Sequence, residues 1–302
     1  MTPLPETAEL LGAVFSGSRI ASEEYLDWLY VRSPFGPVIE ANLDDRDGRA
    51  AHYALVPIDL VEDGRAVRGA LSLNTAVHER ARGRGAFTEL AASAYETARA
   101  GGVECVFGVA NESSTHGFVA RLGFELVRAL PATILLPVPG LAAPVQSAWA
   151  TDSCFEAGGV AADVERLLTA PEQGIARRWT PETLRWRLAD PQARYALHRS
   201  EQALSVSTRD TRNGVGVAVL LKVFAPAGLS VADARALVRA SCRFHRAPLA
   251  LHVGINDRVR FGGVPLPRRF RESPLNLIYR RLDGGVRHSD IANFEFLDFD
   301  AY

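Results

Sequence analysis

Ala76-Val77-His78-Glu79-Arg80-Ala81-Arg82-Gly83-Arg84-Gly85-Ala86-Phe87-Thr88 joins two segments of different periodicity. Upstream, Val67–Val77 (VRGALSLNTAV) alternates apolar and small polar residues, which predicts a strand. Downstream, Phe87, Leu90, Ala91, Ala94, Tyr95 and Ala98 recur at the spacing of one helix face. A helix is therefore predicted from about Phe87 to Ala100, stopped by Gly101-Gly102. A turn of this kind aims successive backbone N–H groups and a helix N-terminus at one point, which makes an anion site. Gly83 and Gly85 let a phosphate come close to the backbone, and Arg82 and Arg84 add mobile positive charge. The expected chemistry is binding of a phosphorylated ligand; the bland alternative is a Gly-Arg turn that holds nothing.

Other phosphate loops fail on composition. A Walker A loop needs Gly-Lys-Ser/Thr, and the only lysine is Lys222. A dinucleotide fingerprint needs a third glycine where Gly83-Arg-Gly85-Ala-Phe-Thr88 places Thr88. His78-Glu-Arg-Ala-Arg82 lacks the second histidine of a zinc protease.

The chain has 302 residues, a length that predicts two domains. Its 34 basic and 35 acidic side chains leave a formal charge of −1, which argues against a broad nucleic-acid-binding face. No apolar run approaches the roughly 20 residues that span a bilayer, and MTPLPETAELLGAVF does not read as a secretory signal. A cytoplasmic protein without membrane or nucleic-acid partners is expected. Cys105, Cys154 and Cys242 lie far apart, so no disulfide framework follows. Cys242 and His245 lack a second pair to complete a zinc site, and no metal is implied.

Around the glycine turn, the organisation is α/β. Ser22-Glu-Glu-Tyr-Leu-Asp-Trp28 reads as a capped helix. Val38–Asn42 and Arg49–Val61 read as strands before Val67–Val77, and Val103–Ala110 reads as a strand buried on both faces. Residues 131–150 carry four prolines and no charge, and read as a strand end followed by a packed linker. Thr180-Pro-Glu-Thr-Leu-Arg-Trp186 then repeats the cap, acid, Leu and Trp spacing of Ser22–Trp28. Strand candidates follow at Tyr195–Leu197, Ala203–Thr208, Val215–Phe224 and Leu249–Ile255, with a helix over Val231–Arg243. Phe294–Tyr302 reads as an edge strand with one buried face, or as a source of acceptor-pocket carboxylates at Asp298 or Asp300. Arg268, Arg269 and Arg271 read as solvated charge or as contacts for acceptor phosphates. Trp28 and Trp186 read as core anchors, and His52 as a satisfied core histidine.

The turn resembles the GNAT acyltransferase superfamily, in which a strand leads into Gln/Arg-x-x-Gly-x-Gly/Ala around the pyrophosphate of acyl-CoA. Arg82-Gly-Arg-Gly85-Ala-Phe87 is the preferred register and departs at Phe87; Arg80-Ala-Arg-Gly83-Arg-Gly85 fits the letters but starts the helix too early. A second landmark follows: a strand leads to Asn111, and Phe118-Val-Ala-Arg-Leu-Gly123-Phe124 is similar to the family's aromatic-Tyr-x-x-x-Gly-Phe ending. The clear resemblance covers about residues 20–130. In the second half, Phe224-Ala-Pro-Ala-Gly-Leu-Ser stands where the glycine turn would be. The implied fold is two tandem GNAT-like domains, 1–135 binding acyl-CoA and 136–302 degenerate, each a mixed sheet flanked by helices.

The resemblance implies an N-acetyltransferase type of acyltransferase, with acetyl-CoA or another acyl-CoA as co-substrate and a small-molecule amine as acceptor. Leu73-Asn74-Thr75 and Gly108-Val109-Ala110-Asn111 are similar to tandem sugar N-acyltransferases, which points to a nucleotide-linked amino sugar. Rival readings are acylation of an antibiotic or amino acid, and a non-catalytic CoA-binding or scaffold protein. A homodimer is kept open. The cofactor contacts expected are Val77, Arg82, Gly83, Arg84, Gly85, Ala86, Phe87, Asn111 and Ser114. The strand position that often carries Glu holds Asn74, and the position that often carries the Tyr acid holds Val119. Asn74 and His116 are the catalytic candidates, His116 as a proton acceptor with an ordinary pKa of about 6.5 or, alternatively, as a plain helix-surface residue.

Overall fold

The computed structural model describes residues 4–156, 159–167, 173–212, 214–270, 273–287, 289–299 and 302. In the first half, α1 (Leu4–Val14) and α2 (Glu23–Leu26) precede β1 (Ile39–Asp45), β2 (Gly48–Glu62) and β3 (Arg65–Val77). Then come α3 (Ala86–Ala100), β4 (Cys105–Ala110), α4 (Glu112–Leu122), β5 (Glu125–Ala129) and β6 (Ala132–Leu135). The second half holds β7 (Gln146–Trp149), α5 (Val160–Leu167), β8 (Ile175–Arg177), α6 (Pro181–Leu188), β9 (Ala196–Arg199), β10 (Leu204–Arg212) and β11 (Val215–Phe224). It closes with α7 (Val231–His245), β12 (Ala250–Asn256), β13 (Val264–Pro265), β14 (Asn276–Arg281) and β15 (Ile291–Glu295).

The strands form one mixed sheet in the order β5-β14-β4-β3-β2-β8-β15-β12-β11-β10-β9-β7, with β1 on β2, β6 on β12 and β13 on β6. The halves interlock through exchanged strands. β14, from late in the chain, lies between β4 and β5, while β6, from the first half, pairs with β12. β8 and β15 join the two halves of the sheet through β2 and β12. Much of residues 131–150 is therefore structural: Ala132–Leu135 is a ladder strand and Gln146–Trp149 pairs with β9.

Alternation along β2 sets two layers. Ala54 and Val56 pack with α1, Tyr25, Leu26 and Trp28 on one face. Tyr53 and Leu55 pack with Ala91, Ala94, Tyr95 and Ala98 of α3 on the other. The repeated Ser22–Trp28 and Thr180–Trp186 motifs meet between the halves. Their indoles stack at 4.9 Å and 18°. Each indole N–H donates to the other tryptophan's carbonyl, at 3.0 Å from Trp28 and 3.3 Å from Trp186. The Ser22 and Thr180 hydroxyls both cap the amide three residues on.

The C-terminal segment departs from the edge-strand expectation. β15 is internal, flanked by β8 and β12, and Phe296–Asp298 forms a 3₁₀ turn. Asp298 is fully buried, and its carboxylate accepts from the Trp179 indole N–H at 2.9 Å. Asp300, Arg271 and the side chain of Arg268 lie outside the described residues. Arg269 stands over the Phe270 ring at 4.9 Å. No helix among the described residues is long and apolar enough to cross a membrane.

Candidate active site

β3 and β4 run parallel and are paired only from Gly69↔Cys105 to Ser72↔Gly108. Beyond Ser72 the ladder stops, and the two strands continue to Val77 and Ala110 without pairing to each other. A β-bulge accompanies this parting. The register against β2 slips between His52↔Ala76 and Ala54↔Leu73, leaving one extra residue on β3. Asn74 sits there at φ 52°, a left-handed conformation that Asn tolerates better than most residues.

The bulge reverses the facing of the strand. Ser72 points to the α3 side, where its hydroxyl donates to Tyr53 Oη at 2.9 Å. Asn74 points to the α1–α2 side, where its Nδ2 donates to Tyr30 Oη at 3.1 Å. Past the bulge, the His78 N–H donates to Ala50 O at 2.9 Å. Successive strand amides point to opposite edges, so the Val77 N–H faces away from β2, toward the gap.

The glycine turn follows directly. Gly83 (φ 76°) and Gly85 (φ 83°) are both left-handed, the reason glycine is needed there. Gly85 is the N-cap of α3, and no side chain caps the helix. The amides of Gly85, Ala86 and Phe87 have no backbone or side-chain acceptor among the described residues, so they are open to water or to an anion. Arg82, Gly83, Arg84 and Gly85 are exposed. Among the described residues, the Arg82 guanidinium meets only the Glu79 carboxylate, at 3.5 Å. Arg80 instead bonds Asp45 at 2.8 Å and the Arg49 carbonyl at 2.9 Å, fixing the base of the turn. The helix starts at Ala86, and the Arg80 side chain is already paired. His78 Nδ1 accepts from the Arg80 N–H at 3.3 Å, a local turn contact.

Phe87, where the motif departs from the family's letters, turns its ring inward against Tyr53 (6.1 Å) and Phe118 (5.5 Å). Asn111 and Ser114 form a reciprocal cap on α4, Ser114 N–H to Asn111 Oδ1 at 2.9 Å and Asn111 N–H to Ser114 Oγ at 3.1 Å. His116 is exposed on α4, which covers the α3 face. Asn74 lies on the other face, so the structure does not bring these two candidates together. Val119 is 37% exposed.

Sequence reasoning missed what stands behind Asn74. Tyr30 Oη lies 3.0 Å from His52 Nε2, and His52 Nδ1 lies 2.6 Å from Asn42 Oδ1. Asn42 Nδ2 donates to Glu40 Oε2 at 3.2 Å. His52 is fully buried; loss of water, with the Arg49 charge secondary, pulls its pKa down to about 3 and keeps it neutral. His52 was legible as a satisfied core histidine, but no spacing linked it to Tyr30 or Asn74.

The second half opens the same strand pair. β11 and β12 are parallel and paired only from Ala218↔Ala250 to Leu220↔His252. Here β15 enters the opening and pairs with Gly254–Asn256. The Glu295 carboxylate accepts from His252 Nε2 at 2.8 Å, Asn256 Nδ2 at 3.0 Å and the Val223 N–H at 3.4 Å. Asn256 also donates to Val223 O at 3.0 Å. Lys222 Nζ bonds Asn293 and lies 2.5 Å from Asp298 Oδ2. The backbone groups that a ligand would use are taken by side chains. A separate cavity of about 590 Å³, lined by Asp63, Gly174, Asp257 and Asp290, presents carboxylates and is unsuited to an anionic ligand.

Solved structures share this architecture. A GCN5-related N-acetyltransferase from Anabaena variabilis aligns over 92% of this chain and 70% of its own, with a TM-score of 0.66 and 12% identity. Saccharomyces cerevisiae N-myristoyltransferase with bound myristoyl-CoA aligns over 98% of this chain and 80% of its own, with a TM-score of 0.62 and 13% identity. A tandem GNAT protein from the clavulanic acid biosynthesis pathway aligns over 92% and 94%, with a TM-score of 0.55 and 13% identity. The chain has a tandem GNAT fold. No protein-family model matches the sequence, and no curated protein matches it. In this fold, the second of the two strand gaps is the one that β15 fills.

Proposed function

We propose that this protein transfers an acyl group from acyl-CoA to a primary amine of a small molecule, with the CoA held by the first half. The observation that carries the reading is the open β3–β4 gap ending in the uncapped α3 N-terminus at Gly85. The pyrophosphate would lie on the amides of Gly85, Ala86 and Phe87, with Gly83 giving clearance and Arg82 and Arg84 neutralising charge. The pantetheine arm would enter the gap, and the Val77 N–H would bond the thioester oxygen as it gains negative charge. A neutral amine attacks the carbonyl carbon, the tetrahedral intermediate collapses as the C–S bond breaks, and the proton lost from nitrogen passes through water to the departing thiolate. Holding both substrates together supplies much of the rate. Asn111 and Ser114 would shape the far wall through their cap, and His116 would serve at the solvent side.

The working division is 1–135 for CoA and 136–302 for the degenerate half, with strands exchanged between them. A nucleotide-linked amino sugar is the acceptor suggested by the residues flanking Asn74 and Asn111. Asn74 and Val119, in place of Glu and Tyr, favour a second reading: a CoA-binding scaffold without turnover.

A thermal-shift screen against acetyl-CoA, longer acyl-CoAs and nucleotide amino sugars tests both. A ligand at about 100 times its dissociation constant stabilises by roughly 2.7 kcal/mol. Shifts with both ligand classes support the enzyme, and a CoA shift without turnover on any amine supports the scaffold. No shift with any CoA removes the reading and leaves only the fold.

A further inference from the structure

The polar chain behind Asn74 has one consistent direction. Asn42 Nδ2 donates to Glu40, so Asn42 Oδ1 faces His52. His52 Nδ1 must then carry the proton, and Nε2 is left as an acceptor. Tyr30 Oη therefore donates to His52 and accepts from Asn74 Nδ2. The last amide in the series is consequently fixed in orientation. Asn74 Oδ1 has no partner among the described residues, and Asn74 is only half-buried, at the point where β3 has left β4.

We propose that Tyr30 and His52 are positioning residues that hold Asn74 with its Oδ1 turned to accept a hydrogen bond from the acceptor amine N–H. The inference rests on the reading that the first gap holds acyl-CoA. It gives the missing Glu a replacement of different chemistry. A carboxylate takes a proton, whereas a fixed amide oxygen orients the amine lone pair toward the thioester and rejects groups that bring no N–H. Tyr30 is 2% exposed and His52 fully buried, so neither touches substrate. The left-handed bulge is what puts Asn74 within reach of Tyr30; a regular strand would turn residue 74 toward α3.

The test uses two thioether analogues of the product complex, S-(N-methylcarbamoylmethyl)-CoA and its methyl ester counterpart, with CoA itself as reference. The pair differs by one N–H replaced with oxygen. Calorimetry on the full chain should show the amide bound about tenfold tighter than the ester, since the ester leaves Asn74 Oδ1 facing another acceptor. Tyr30→Phe and His52→Leu should bring that ratio to about one while CoA affinity holds. His52→Gln should keep the ratio, because its amide can accept from Tyr30 and donate to Asn42. Asn74→Ala, at a partly exposed position, supplies the same loss should a buried replacement fail to fold. A purely structural role for Tyr30 would lower stability without moving the ratio. A ratio near one in the unaltered protein with normal CoA binding overturns this inference alone. A ratio of ten that survives Tyr30→Phe also overturns it. Absence of CoA binding overturns the acyl-CoA reading with it.

Discussion

The β3–β4 opening and the β11–β12 opening begin alike, four and three paired residues followed by parting strands, and end differently. In the first, the parted strand runs into left-handed glycines and a helix whose leading amides have no partner among the described residues. In the second, the parted strand keeps its donors and acceptors only because Glu295 and Asn256 supply partners for Val223. A sheet cannot leave such groups buried and unpaired, at about 1–3 kcal/mol each. An opening in a sheet is therefore either a ligand site or a place that the chain itself must fill. The second half takes the latter course, with two carboxylates and the chain's only lysine.

The largest test of that contrast is Lys222→Met. Lys222 is 3% exposed and its two carboxylate partners are fully buried, so removing the cation leaves buried charge uncompensated. Urea unfolding should show a loss of about 3–5 kcal/mol. A loss under about 1 kcal/mol would mean that water reaches the second opening. Gly85→Glu comes next and addresses the first opening. It puts a negative side chain at φ 83°, over the helix N-terminus, and should weaken CoA binding by about a hundredfold in a titration, or roughly 2.7 kcal/mol. Unchanged CoA affinity would move the site elsewhere.

The smallest effect is the difference in acid sensitivity between the two halves, two buried histidines against one. Burial lowers the pKa of His198 to about 3 and of His245 to about 4 in the second half, and of His52 to about 3 in the first. Each folded-state pKa lies below the unfolded value of about 6.5, so the unfolded chain binds more protons between these limits. Their contribution to stability is complete above about pH 6.5 and declines as pH falls toward 4, by roughly 1 kcal/mol per pH unit per histidine. Urea midpoints at pH 7 and pH 5 should differ accordingly. Changing His198 and His245 to Gln should remove more of that slope than changing His52. A flat profile in the unaltered protein would mean hydrated imidazoles.

Much of the first opening is legible in the chain. The strand-to-helix change of period across Val77–Phe87 and the glycines at 83 and 85 locate the turn to within a residue. The matched Ser22–Trp28 and Thr180–Trp186 spacings mark the helices that meet between the halves. The Phe294–Tyr302 alternation misleads, because a strand covered on both edges and one at an edge carry the same period. Lys222 stands out by composition alone, and nothing in its neighbourhood announces Asp298 or Glu295.

By itself, then, the sequence determined the local elements, the glycine turn and the absence of Glu and Tyr at their familiar places. These are properties of near neighbours, set by backbone freedom and side-chain period. Tertiary structure decided which opening stays free, which arginine faces solvent, and which way Asn74 points. Those depend on contacts between residues far apart in the chain, such as Tyr30 with Asn74 and Lys222 with Asp298, and on a one-residue bulge that reverses a strand's facing.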